Sequence, residues 1–193
     1  MPVATSTLEK KKTPVNDLSN FWKILAPRLT VLVTTMDQHG RADVSPFSFV
    51  TPVSFDPPLV ALSIGINKHS YWAITRKREF VINIPTENLL EKVWTAGEKW
   101  HPEISKIQRA GLQTEKSEKV GPPRLTECAA SLECYVEDAK KYGDHVLIIG
   151  RVVAIKTNPE YVDEHGRLKA DIARPPLHIA ENLFAFPYVT KEI

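Results

Sequence analysis

The chain has 193 residues, 42% hydrophobic and 25% charged, a composition that suits one globular domain and excludes a disordered segment. Twenty-five basic residues against 23 acidic ones leave a net charge of +2, too little to imply a nucleic-acid partner. Fifteen prolines count against a long-helix bundle, and the eight glycines form neither GxGxxG nor GxxxxGK[ST], so a Rossmann dinucleotide site and a Walker P-loop are excluded.

Residues 1–17 are polar and unpatterned and are expected to form a flexible tail ahead of one domain over residues 18–193. The tail lacks the apolar stretch of a secretory signal. It carries Glu9 and Asp17 and has no arginine before Arg28, unlike a mitochondrial presequence. No run approaches 18 apolar residues, so no membrane span is expected. The Lys10-Lys11-Lys12 triplet reads either as part of a solvated tail or as a nuclear or anionic-lipid address. Cys128 and Cys134 stand six residues apart: as a strand that is roughly 20 Å, as a helix about 9 Å with diverging side chains, and neither suits a disulfide. There is no CxxC, HExxH or His/Cys cluster, so no metal site is expected and the chain reads as a reduced, cytoplasmic protein.

Along the chain, residues 18–26 predict one or two helical turns with Phe21, Trp22 and Leu25 facing inward, stopped by Pro27. Leu29–Thr35 is dense in branched residues and predicts a strand. Asp37-Gln38-His39-Gly40 then turns the chain into a return strand over Arg41–Val50. Leu59–Ile64 and Phe80–Ile84 are further strands, with a short helix between them near Ser70–Lys77 burying Tyr71, Ile74 and Trp72. Helical spacing recurs over Thr86–Lys99 and Glu103–Ala110, with Gly111 as a C-cap. Two long strands, Cys128–Asp138 and His145–Lys156, flank a polar link over Lys140–Asp144. After a proline-broken loop, Leu177–Phe184 predicts a last strand. The fold class is therefore mainly β with short helices, six or seven strands closing into a barrel, with no internal repeat.

Three segments carry candidate chemistry. In Ser45-Pro46-Phe47-Ser48-Phe49 a proline interrupts a strand, which frees backbone N–H groups beside two hydroxyls and two aromatic rings. Those parts suit a planar, polar-edged ligand with a phosphate; they equally describe a bulged edge strand with capping serines. Lys68-His69-Ser70 stands between a strand and a helix, where an ammonium, a hydroxyl and free N–H groups hold a phosphate, or where Ser70 merely caps the helix. His145 opens a long strand after Asp144, either as a functional imidazole at the mouth of a buried region or as a satisfied structural one.

Taken together, VTTMDQHGRADVSPFSFVTPVSFDPPLVALSIG, FVINIP, RLTECAASLECYVED and GDHVLIIGRVVAI, in that order, resemble the flavin reductase-like family over roughly residues 25–186. The resemblance implies an FMN-binding split barrel, homodimeric, of the kind found in flavoredoxins and NAD(P)H:flavin reductases. It implies FMN as cofactor (FAD in some branches) and NADH or NADPH as hydride donor. The implied activity is hydride transfer to flavin, with electrons passed on to an acceptor protein or a monooxygenase component. The alternatives are a tight-FMN electron carrier without a nicotinamide site, or a split barrel that has lost flavin. Residue by residue, Ser45, Pro46, Phe47, Ser48, Phe49 and Val50 match the segment that binds the flavin ring, and Ser63 matches a position near the ribityl chain. Lys68, His69 and Ser70 match the phosphate turn, Asn83 matches an asparagine near the cofactor, and His145 matches the histidine facing flavin and nicotinamide. Ala180-Glu181 stands where the family's small pair falls, and Trp94–His101 has no counterpart, so neither the C-terminal cover nor the substrate side of the pocket follows from the resemblance.

Overall fold

The computed structural model describes residues 18–101 and 104–192; the tail, with Lys10–Lys12, lies outside the described residues. A short 3-10 turn leads into α1 (Phe21–Ile24), followed by β1 (Arg28–Leu29), β2 (Val31–Met36), β3 (Ala42–Phe47), β4 (Val50–Ser54) and β5 (Leu59–Gly65). Next come α2 (His69–Lys77), β6 (Glu79–Ile84), α3 (Leu90–Gly97), α4 (Lys106–Arg109), and the two-residue strands β7 (Thr114–Glu115) and β8 (Arg124–Leu125). The long β9 (Ala130–Tyr142) and β10 (His145–Thr157), α5 (Ala170–Ala173), β11 (Leu177–Ala180) and β12 (Leu183–Ala185) complete the chain.

Seven strands make one antiparallel sheet in the order β3-β2-β6-β9-β10-β5-β4. Its two edge strands, β3 and β4, are joined through Ser48 and Phe49 alone, so the sheet curls until its edges meet in one bent run of chain. The expected return strand Arg41–Val50 is thus two strands. Pro46 has no N–H to give, and β3 tolerates it because β3 pairs on one side only. Phe49 lies between the strands, and its carbonyl accepts from Ser63 N–H at 2.9 Å, tying the bend to β5.

Side chains of β2 are buried on both faces, which explains its unbroken apolar run. Val31 and Val33 join Leu62, Ile64, Phe80 and Ile148 inside the barrel. Leu32 and Val44 face outward and pack with Leu89, Val93 and Ala96 at α3 and Ile107 of α4. Helix α2 contributes Ile74 to the barrel core and contacts β2, β3, β5, β6 and β9, so it plugs one mouth. Trp72 on its outer side is half exposed, not buried as the spacing suggested. Phe21 and Leu25 are likewise exposed, because α1 is too short to present a second face to the barrel.

Two loops proved tighter than the sequence reading. Lys140–Tyr142 continues β9, and only Gly143-Asp144 turns the chain, with Gly143 at φ +60 as a two-residue hairpin requires. The last strand is a hairpin: β11 pairs with β1 and β12, and Glu181 takes a positive φ at its turn. Arg28 fixes this hairpin to the N-terminal turn, donating to the carbonyls of Trp22, Leu25 and Ile179.

A repeat not seen in the sequence reading emerges at two turns. In Asp37-Gln38-His39-Gly40-Arg41 the Asp37 carboxylate accepts from His39 N–H, Arg41 N–H and Arg41 Nε. In Asp163-Glu164-His165-Gly166-Arg167 the Asp163 carboxylate repeats all three bonds, and both glycines sit at φ +77. The hydrogen bond from Arg41 N–H, ahead of its guanidinium, lowers the Asp37 carboxyl to about 2, and the equivalent bond from Arg167 lowers that of Asp163. A carboxyl depressed by folding stabilises the fold above its unfolded value of 3.8 and loses that contribution as pH falls through its folded value. Replacing both aspartates by asparagine is therefore expected to flatten the fall in stability between about pH 4 and pH 2, measured by urea unfolding across that range.

Candidate functional site

The bend between β3 and β4 organises three groups of side chains. At its β3 end Ser45 Oγ accepts from Lys106 Nζ at 2.9 Å and from Ser70 Oγ at 3.3 Å. With both lone pairs engaged, the Ser45 proton is left to donate to a further partner. Lys106 also pairs with Asp43 at 3.3 Å, and His69 Nδ1 stands 3.7 Å from the same carboxylate. Lys68 is the N-cap of α2 in extended conformation, and the free N–H groups of the helix's first turn face the same end of the site as Ser70. Two basic side chains, two hydroxyls and a helix N-terminus against one carboxylate make a set of groups that suits a phosphate.

At the middle of the bend is a cavity of about 260 Å³. Pro46, Phe47 and Ser48 form one wall, Val93, Trp94 and Gly97 of α3 a second, and His178, Glu181 and Phe184 of the C-terminal hairpin a third. Gly97 packs closely here: a Cβ would stand 3.0 Å from Pro46 Cγ. His178 Nε2 faces the Glu181 carbonyl at 3.2 Å, and a carbonyl only accepts, so this nitrogen carries the proton. Nδ1, 3.3 Å from Ser48 Oγ, is then the acceptor of the Ser48 proton.

Beyond the bend the Phe49 ring lies between the Arg28 guanidinium, at 5.5 Å, and the His145 ring, at 5.9 Å. His145 Nδ1 donates to Asp144 at 2.8 Å; that hydrogen bond holds the Asp144 carboxyl below its ordinary range and leaves Nε2 as an acceptor. A Cβ on Gly65 would stand 3.2 Å from Asn67 Oδ1, 3.7 Å from Lys68 Cγ and 3.9 Å from His145 Nε2, so this glycine lies where the strand end, the turn into α2 and the imidazole meet.

The fold thus brings together Ser45, Lys68, His69 and Ser70 at one end, Pro46, Phe47 and Ser48 at the cavity, and Phe49 with His145 beyond it. Val50 packs on the barrel core, and Ser63 backs the bend through its main chain. Asn83 stands apart from these groups in its bonding. It is fully buried, its Nδ2 donates to Leu32 O and Thr34 Oγ1, and its Oδ1 accepts from Leu125 N–H and Ser131 Oγ. Its amide is spent on holding β2, β6, β8 and β9 together, with nothing left for a ligand. Lys106, His178 and Trp94 were not singled out from the sequence; each reaches the site from an element distant in the chain, and no spacing marks them. Cys128 and Cys134 are free and buried, and burial pushes the Cys134 thiol up to about 12, which removes both from any thiolate chemistry.

The family model described as flavin reductase like domain matches residues 25–178. The chain belongs to the flavin reductase-like family. An uncharacterised protein of Pyrococcus abyssi is 39% identical over 134 residues, covering 69% of this chain and 76% of its own. Among solved structures, nitrilotriacetate monooxygenase component B from Bacillus cereus superposes with a TM-score of 0.81 at 25% identity, over all of both chains. Flavoredoxin of Desulfovibrio vulgaris (Miyazaki F) superposes with a TM-score of 0.76 at 18% identity, covering 99% of this chain and 96% of its own. The barrel is therefore the split barrel of the flavin reductase-like family, and among its described residues no helix is long and apolar enough to cross a membrane.

A structural role for Asn83 is directly checkable. Asn83→Ala should cost about 3 kcal/mol or more of stability in urea unfolding, since it orphans several buried groups, and leave ligand affinity of the folded fraction unchanged.

Proposed function

We propose that this family member is an FMN-dependent oxidoreductase that accepts a hydride from NADH or NADPH and passes electrons to a separate acceptor. The observation that carries this reading is the layout along the bend. A phosphate-type cluster at Ser45 and an apolar ring-sized cavity at Ser48 are three residues apart, roughly 10 Å of strand, which is the spacing a ribityl chain bridges. Flavin, when bound, supplies the two-electron redox chemistry. The chain's own residues do the rest.

Lys106, Ser45, Ser70, Lys68 and His69 hold the phosphate, with the Ser45 proton donating to it. The main chain of Ser48 and Phe49, outside both ladders, supplies N–H groups for the polar edge of the ring. Phe47 and Trp94 exclude water from its faces. His145, oriented by Asp144, seats the nicotinamide; nothing in its surroundings calls for it to move a proton.

Electron delivery to a partner is in keeping with the likeness to a monooxygenase component, and homodimerisation is part of the same reading. Phe21, Ile24, Leu25 and Phe55 are exposed apolar side chains of the kind a second copy covers.

An anaerobic absorbance titration tests the whole. FMN should bind as a yellow complex that bleaches with NADH or NADPH. A complex that stays oxidised would make the protein an electron carrier, and a protein that stays colourless would remove the cofactor. Lys106→Met should weaken FMN by about ten- to a hundredfold and leave riboflavin, which lacks the phosphate, unaffected, as read by quenching of flavin fluorescence.

A further inference from the structure

Among the described residues two threonine hydroxyls, those of Thr30 and Thr35, are buried with no hydrogen-bond partner. Thr30 is 4% exposed and Thr35 1%. Valine has the same shape and the same preference for strands, so each hydroxyl is a cost to folding that the position does not require. The two differ in one respect. Thr30 lines the cavity beside Ser48, and Thr35 does not.

The backbone of Thr30 is fixed, its N–H donating to Pro176 O at 2.9 Å. The cavity wall around it is apolar and aromatic, through Val93, Trp94, Pro46 and Phe184. Its lining holds no lysine or arginine, and of its two carboxylates Glu181 is already paired with Lys23 at 2.7 Å, so the cavity suits an uncharged group. A planar ring meets those walls with its faces, and beside the main-chain N–H groups of the bend the side-chain hydroxyls of the lining are open to its polar edge. Ser48 has given its proton to His178 and offers lone pairs only. The Thr30 hydroxyl keeps its proton uncommitted.

We infer that Thr30 is a specificity-determining residue for the planar ring this cavity takes, its hydroxyl donating to an acceptor on the ring's edge. The inference rests on the flavin reading above, in which that ring is the isoalloxazine, whose polar edge carries carbonyl acceptors.

The test compares Thr30→Val with Thr35→Val as control and Thr30→Ser as the conservative replacement. Each is titrated with FMN and with lumiflavin, which has the ring and neither ribityl nor phosphate, and its Tm is measured without flavin. Both valine variants should melt higher, since each removes an unpaired buried hydroxyl. Thr30→Val should bind FMN and lumiflavin more weakly by the same factor, about five- to tenfold, while Thr35→Val binds as the wild type and Thr30→Ser largely restores affinity. The inference is overturned if Thr30→Val binds both flavins as the wild type does, if the loss is confined to FMN, or if its Tm falls. Failure of the wild type to bind either flavin would instead bring down the cofactor reading, and this assignment with it.

Discussion

A seven-stranded sheet that closes on itself has to pass one run of chain from one edge to the other, and here that passage is the two-residue bend at Ser48 and Phe49. The two edges are joined by the chain and not by a ladder, since β3 and β4 each pair on one side only. The bend also takes a short stretch of backbone out of both ladders, with the Ser48 side chain turned into the cavity beside α3 and the Phe49 ring turned to Arg28 and His145. Pro46 makes the bend easier by having no N–H to lose, and the Phe49 carbonyl on Ser63 keeps it from wandering. The groups available for chemistry cluster there because the barrel could not use them.

Charge is segregated along that bend. Basic groups gather at the Ser45 end, where helix α2 points its N-terminus and α4 reaches over with Lys106. The Ser48 end has carboxylates at its rim and aromatic walls within. A ligand with a charged tail and a neutral ring meets this gradient in one orientation only, and turning it end for end would bury an anion without a cation. Orientation is thus decided by electrostatics before any single hydrogen bond forms. The His178 bonds add a link between distant parts: one nitrogen is anchored to the C-terminal hairpin turn and the other to the bend, so the hairpin sets which way the Ser48 proton points.

Much of this was legible in the sequence. The branched runs gave the strands because β2 and β6 are buried on both faces, where pattern and burial coincide. SPFSF and NKHSY were legible because proline, serine and lysine break the strand and helix patterns they interrupt. Lys106, His178 and Thr30 were not. Lys106 and His178 sit within an ordinary helix and strand that only tertiary packing brings to the bend, and Thr30, between β1 and β2, reads as one more branched residue of an apolar run although the pairing of Val31 with Phe47 sets it beside Ser48. Asn83 is the opposite case: a polar residue in the middle of an apolar strand signals either a site or a buried hydrogen-bond hub, and sequence does not distinguish them. The fully engaged amide does.

The twin turns at Asp37 and Asp163 have a bearing of another kind. One reverses the chain between two strands of the barrel; the other closes a small loop pinned by a single bridge between Val162 and Leu168. Their surroundings have nothing in common, yet the two pentapeptides adopt one shape and differ only at an exposed position, Gln38 in one and Glu164 in the other. Every bond that defines the reversal begins and ends within five residues, so the shape belongs to the peptide and not to its host. The two loops are interchangeable parts, and either would serve in the place of the other.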